Sequence, residues 1–317
     1  MAAESEYKIP GGSLYYEKTD EGDGTRAVCV TRMQGTPGEL EIPERIEDLP
    51  VRAIGRKAFL SKKSLRKVIV PAGVREVGDW AFAYCDSLRT VIFRGAEQDA
   101  DMERQRQTER SGSDLRFGRA VFLECARLRF VYVDENETTA ALLAAAVTVA
   151  GAPYLLDAVE AGGREWLDKW DARMMAVLRG ADNEGYSKQV LCGEEDYGST
   201  DLIAYESGQR RIKVRLLLLR LLYPAGLSED HRQEMETYLR AHTKGCAGEE
   251  TWRVVLEEYG EDSAVYRLFV ELGCVTGDNL EAILSDIGGE YPEMKAYLMR
   301  CGEERAGGGD FFESLSL

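Results

Sequence analysis

The chain holds two histidines, His231 and His242, and they are the first place to look for chemistry. A hydroxyl or thiol nucleophile needs a base to take its proton, and imidazole is the usual one. Neither histidine has a G-x-S-x-G turn nearby, and both fall on one predicted helix over 228–242, so they read as exposed helix side chains. His242 and Cys246 offer two metal ligands, but a zinc site wants four in tight pairs. No C-x-x-C occurs among the seven cysteines, and the others read as small buried apolar residues. The stretch "GADNEGY" (180–186) has the composition of a calcium loop, without oxygen ligands at alternate positions or a Glu closing twelve residues. "CGEEDYGSTD" (192–201) gathers carboxylates that suit acid–base work or, more simply, a solvated acidic loop. Walker loops and dinucleotide fingerprints are absent. The sequence therefore names no catalytic residue, no metal ligand and no cofactor, and the chain is read as no enzyme. An enzyme with its site in 164–201 stays open as an alternative.

The remaining candidates are recognition residues. Between Ile54 and Arg94 stand nine Lys or Arg and three acids, with Lys62, Lys63 and Arg66 among the nine. They form either a solvated convex surface or a docking surface for an acidic partner, the chain's own second half included. Up to Asn136 there are 22 Lys+Arg against 23 Asp+Glu, and beyond it 18 against 33. That step marks a domain boundary, and so acidic a second half argues against nucleic-acid binding, which needs clustered cations. The run "LLLLRLLY" (216–223) is interrupted by Arg220 and far short of the ~20 residues that span a bilayer, so no membrane span is expected. "MAAESEYKIP" has neither a basic start nor an apolar run. With an odd number of cysteines, this points to reduced thiols in a cytoplasm.

These residues are positioned by a repeat. "RAIGRKAFLSKKSLRKVIV" (52–70) returns as "REVGDWAFAYCDSLRTVIF" (75–93), and the pairs Ile54/Val77, Gly55/Gly78, Ala58/Ala81, Phe59/Phe82, Leu65/Leu88, Val68/Val91 and Val70/Phe93 keep an offset of 23. A third copy, "FGRAVFLECARLRFVYV", follows at an offset of 40, supplying Phe117, Gly118, Val121, Phe122, Leu128, Val131 and Val133. The 17 extra residues fit the nearly apolar-free stretch 95–114, an extruded loop. "LEIP" (40–43) matches "VIVP" (68–71) as a degenerate earlier copy, with five extra residues before the glycine. A period in the twenties signals units that stack on their neighbours, each V-x-V piece a short strand with two side chains inward and one outward.

This pattern resembles the BspA-like family of leucine-rich repeats, whose units run I-G-x-x-A-F-x-x-C-x-x-L-x-x-V-x-I-P-x-x-V, over about residues 40–133. Lys62 stands where the family places Cys, which Cys85 and Cys125 supply, and the proline at 71 is absent after the later strands. The resemblance implies a solenoid and a binding role. Family members are often secreted or surface-exposed, so a surface adhesion fragment stays open as well. The middle strand residues Ile69, Ile92 and Tyr132 are then an apolar ladder on the solvent side. They reflect β-propensity alone, or they mark a covered face.

After "DENET" (134–138) the pattern becomes helical. "TTAALLAAAVTVAG" (138–151) suits a slim helix sealing the last coil, followed by helices over 164–180, 212–224 and 228–242. Residues 252–273 and 280–301 echo each other at an offset of 28, each reading helix, Gly turn, helix, weakly ankyrin-like. The expected fold is α+β: a leucine-rich-repeat solenoid over 1–136, an acidic all-α helical-repeat domain over 137–305 with its array at 250–301, and a tail at 306–317. The expected function is protein–protein recognition in a bacterial-type scaffold or adaptor. Ile69, Ile92 and Tyr132 would supply affinity, and Lys62, Lys63 and Arg66 would steer.

Overall fold

Each repeat contributes one strand to each of two ladders, which is what a strict 23-residue offset requires if equivalent residues are to hydrogen-bond. The structure, a computed structural model, describes residues 4–20, 24–95, 114–186 and 201–313. Most of the insertion expected at 95–114 therefore lies outside the described residues. The described part is mixed α/β, with two sheets and eight helices, and divides into compact units Met1–Trp170 and Asp171–Leu317.

In the first unit the four-stranded ladder joins β4 (Glu39–Glu41), β7 (Lys67–Val70), β9 (Thr90–Phe93) and β11 (Phe130–Tyr132), all parallel. Leu40, Val68, Val91 and Val131 share one register line and are buried. The second ladder runs through β6 (Leu49–Ile54), β8 (Glu76–Val77) and β10 (Arg116–Phe117). At the turns a third line of bonds links the units, with Phe59 N–H donating to Ala81 O at 2.7 Å and Phe82 N–H to Val121 O at 2.9 Å. Between the ladders Phe59 stacks on Phe82 with ring centres 4.9 Å apart, and Phe82 on Phe122 at 5.6 Å.

Three local features explain retained or missing letters. Cys85 Sγ–H donates to Phe59 O and Cys125 Sγ–H to Phe82 O, both at 3.1 Å, so each cysteine ties its own unit to the backbone of the unit before. A Cβ on Gly78 would lie 2.6 Å from Arg56 N, and one on Gly118 2.6 Å from Asp79 N, because backbones of successive units pass there. The five extra residues after "LEIP" form a hairpin of β5 (Arg45–Ile46) with β6, turning through Glu47 and Asp48, both at positive φ. Phe117 and Val133, expected inside, are half-buried, since they occupy the last unit of the stack.

Residues 5–35 carry an element the repeat did not announce. β1 (Ser5–Ile9), β2 (Gly12–Asp20) and β3 (Arg26–Gly35) form an antiparallel meander, and β3 then pairs parallel with β6. Leu14, Tyr16, Val28 and Val30 bury its inner side. At the other end α1 (Glu137–Thr148) packs on β11, with its run Thr139–Ala146 buried and Asn136 accepting from Thr139 N–H as N-cap. α1 thus belongs to the first unit, where small side chains let a helix lie close to the last strand. α2 (Arg164–Arg179) starts in the first unit, where Trp166 donates to Leu155 O at 2.9 Å, and ends in the second.

In the second unit α3 (Leu202–Leu222) begins ten residues before the expected 212, capped by Asp201, because its polar first half is held by ion pairs. It packs on α4 (Glu229–Ala241), α5 (Glu250–Tyr259) and α6 (Ser263–Glu271). α7 (Gly277–Ile287) and α8 (Pro292–Glu313) form the second helix pair. The echoed glycines serve different ends. Gly260 makes room for the Tyr291 ring, which a Cβ would strike, whereas Gly288 closes α7 at φ 55°.

Candidate functional site

The candidate site is the solvent side of the four-stranded ladder. Ile69 pairs with Ile92 and Ile92 with Tyr132 in direct register, and all three side chains are half-buried. Glu41 opens this row on β4, where Arg94 reaches it at 2.9 Å. A parallel row runs through Glu39, Lys67, Thr90 and Phe130, and Phe130 stacks on Tyr132 with ring centres 5.6 Å apart. Burial, with the charge of Glu137 adding to it, pushes the Tyr132 hydroxyl pKa up, so it stays a neutral donor and apolar ring.

The nine cations that are adjacent in sequence part company in space. Arg56 and Lys57 flank the Trp80 ring at 4.8 and 5.0 Å on the turn side. Lys63 is exposed and pairs with Asp86 at 3.4 Å, and Lys62 is half-buried. Arg66 is exposed at the edge of the ladder, and Arg89 N–H donates to Arg66 O at 2.8 Å, as Arg129 N–H does to Arg89 O at 2.9 Å. Sequence reasoning singled out Arg66, counted Arg89 only among the nine cations and missed Arg129, although the offsets of 23 and 40 already align both with it.

Elsewhere the sequence's chemical candidates have structural roles. His242 stacks on Tyr238 at 4.1 Å, with its Nδ1 2.8 Å from the Tyr238 carbonyl. In "GADNEGY", Asp182 takes Lys213 at 2.6 Å and Arg210 at 3.3 Å, so its carboxylate fastens the segment to α3. Burial pushes the Cys29 thiol up to about 11 and Cys274 up to about 12, away from the thiolate a nucleophile needs. Cys125 is raised too, by its hydrogen bond with Cys85 and then by burial. Among the described residues no group of three His, Cys, Asp or Glu is placed to hold a metal. No described helix is long and apolar enough to cross a membrane. The acidic loop at 192–200 lies outside the described residues.

No protein-family model matches the chain, and no curated protein matches it. Among solved structures it is similar to a leucine-rich cell surface protein from Faecalibacterium prausnitzii, at 25% identity over 39% of this chain with a TM-score of 0.28. It is also similar to a leucine-rich repeat protein from Bacteroides capillosus, at 29% identity over 27% of this chain and 64% of that one with a TM-score of 0.23. A leucine-rich repeat protein of T. pallidum matches at 23% identity over 40% of this chain and 71% of that one, with a TM-score of 0.24. These neighbours are leucine-rich repeat proteins. The matched part spans 29% of the Faecalibacterium protein.

Proposed function

We propose that this chain is a non-catalytic protein–protein interaction module, a cytoplasmic scaffold or adaptor of bacterial type. Its BspA-like repeats form a short solenoid, and its helix pairs continue as a helical-repeat array. The observation that carries the reading is the row Ile69–Ile92–Tyr132, apolar on three successive rungs of the sheet face that alternates toward solvent. A face left to water ordinarily carries polar side chains at those positions. Covering such a side chain is worth roughly 1.5–3 kcal/mol at full burial, and most of that is already gained in the free protein, where each of the three is only partly exposed. In this reading Lys62, Lys63 and Arg66 steer an acidic partner.

The triple variant Ile69→Asp, Ile92→Asp, Tyr132→Asp tests this. It is expected to keep the helical and sheet signal in circular dichroism while losing the proteins that the unaltered chain retains in affinity capture from the native cell. Equal recovery by both chains would show the face to be idle.

A further inference from the structure

We infer that the chain associates with a second copy of itself through β1. The copy's β1 runs antiparallel to this one about a two-fold axis at Tyr7, so that the two seven-stranded sheets join edge to edge. This interface lies on a different sheet from the ladder face and is independent of the docking role proposed there.

β1 is the end strand of its sheet, and among the described residues only β2 pairs with it. The register shows which backbone groups it leaves open. Gly11 O accepts from Thr36 N–H, so Gly11 and Ser13 turn their backbone groups toward β3, and Gly12 and Leu14 turn theirs toward β1. Ile9 and Tyr7, opposite Gly12 and Leu14, are bonded in return. The N–H and C=O groups of Glu6 and Lys8 therefore point to the open edge, which is a template for another strand.

The core also stops short here. Met33, Leu14 and Tyr7 stand side by side on the inner face, the first two buried and Tyr7 half-buried, and Ile9 is half-buried two residues on. The outer face of β1 carries Glu6 and Lys8, both exposed and paired with each other. Glu4 is held within its own sheet by Thr31 and Arg32.

These letters select both the occupant and the register. Glu6 and Lys8 carry opposite charges at equal distances from Tyr7, so an antiparallel copy sets each opposite the other. They are also the residues with open backbone groups, and each such pair exchanges both of its N–H···O bonds. At the axis Tyr7 meets its counterpart in a non-bonded pair, where Cα atoms approach to about 4.5 Å and side chains touch. Ser5 then lies opposite Ile9 on either side. Sliding the copy two residues one way puts Glu6 against Glu6. Sliding it the other way puts Lys8 against Lys8, and Pro10, which has no N–H, against Glu6. A slip of one residue mismatches both faces and bonding groups. A five-residue edge makes an interface below standard size, so the association is weak and reversible.

The test follows the mass of the full chain by sedimentation equilibrium. A monomer is expected to give way to a dimer with a dissociation constant on the order of tens of micromolar. Glu6→Lys and Lys8→Glu each set like charges on both rungs and should weaken the dimer about tenfold. Mixed in equal amounts the two variants should restore it, because every rung then opposes an acid and a base. Lys8→Pro removes an N–H that β2 does not use, and should leave a monomer with an unchanged circular dichroism spectrum. The ladder variant Ile69→Asp, Ile92→Asp, Tyr132→Asp should dimerise as before. A chain that stays monomeric at about 500 μM overturns the inference. So does a dimer that survives both charge variants, or a mixture of them that stays monomeric. A dimer lost in the ladder variant alone places the second copy on the ladder face and overturns it as well. Should Lys8→Pro fail to fold, the mixture of charge variants decides.

Discussion

Single residues are decided in this protein by what the next unit leaves room for. Gly78 and Gly118 face backbone atoms at 2.6 Å, so Gly78→Ala should cost roughly 3 kcal/mol in urea unfolding. Gly95 has nothing within 4 Å among the described residues, and Gly95→Ala should lie within about 0.5 kcal/mol of the unaltered chain. A second residue-scale feature is the ion pair of Arg220 with Asp171 at 2.8 Å, in which the arginine side chain is 0% and the carboxylate 7% exposed. Arg220 also donates to the carbonyls of Tyr223 and Ala225, so it closes the end of α3 where Pro224 stops the helix. Removing only the carboxylate leaves a buried charge. Asp171→Ala should therefore cost about 3–5 kcal/mol, and the paired change Asp171→Leu with Arg220→Met markedly less. Both outcomes are read from denaturant midpoints.

At the scale of elements, the ring file and the capping helix hold the repeats. Phe82 is stacked on both sides and fully buried, so Phe82→Ala opens a cavity between two units and should cost about 3–5 kcal/mol. α1 closes the last strand with alanines and leucines, and its first turn depends on the Asn136 side chain accepting from Thr139 N–H at 3.2 Å. Asn136→Ala should cost about 1 kcal/mol, with faster amide exchange confined to the start of α1. At this scale much was legible: strand register and the Ala-Phe turns follow from letters recurring at 23 and 40, and α1 from the Ala-rich run at 138–151. The meander at 5–35 was not, because it occurs once and its alternation announces strands without saying which ladder they join.

For the whole molecule the governing quantity is charge. The net charge is −16 and the isoelectric point about 4.8, with the excess carried beyond Asn136. Many of those acids are engaged: burial works to raise the Glu258 carboxyl, but Arg215 and Arg211 outweigh it and hold it below the ordinary 4.5. Glu250 behaves alike through Arg210. A carboxyl whose folded pKa is depressed adds stability above its unfolded pKa and loses it as pH falls through the folded value. The melting temperature should hold near neutrality and drop below about pH 4.5, with a smaller drop in Arg215→Ala, measured by calorimetry across pH.

Repetition in the sequence determined the register of the ladders, the buried file of Phe59, Phe82 and Phe122, and the apolar row on the open face, because each copy keeps its letters at the same internal spacing and so sets equal letters side by side even where an insertion separates the copies. Only the tertiary structure decided that Asp171 would neutralise Arg220 across 49 residues, that Asp182 would bind Lys213 and Arg210, and that nine neighbouring cations would separate into distinct rows. Such pairs belong to no period: which charge meets which depends on how whole helices and turns pack, and burial then makes an unmatched one too costly to keep.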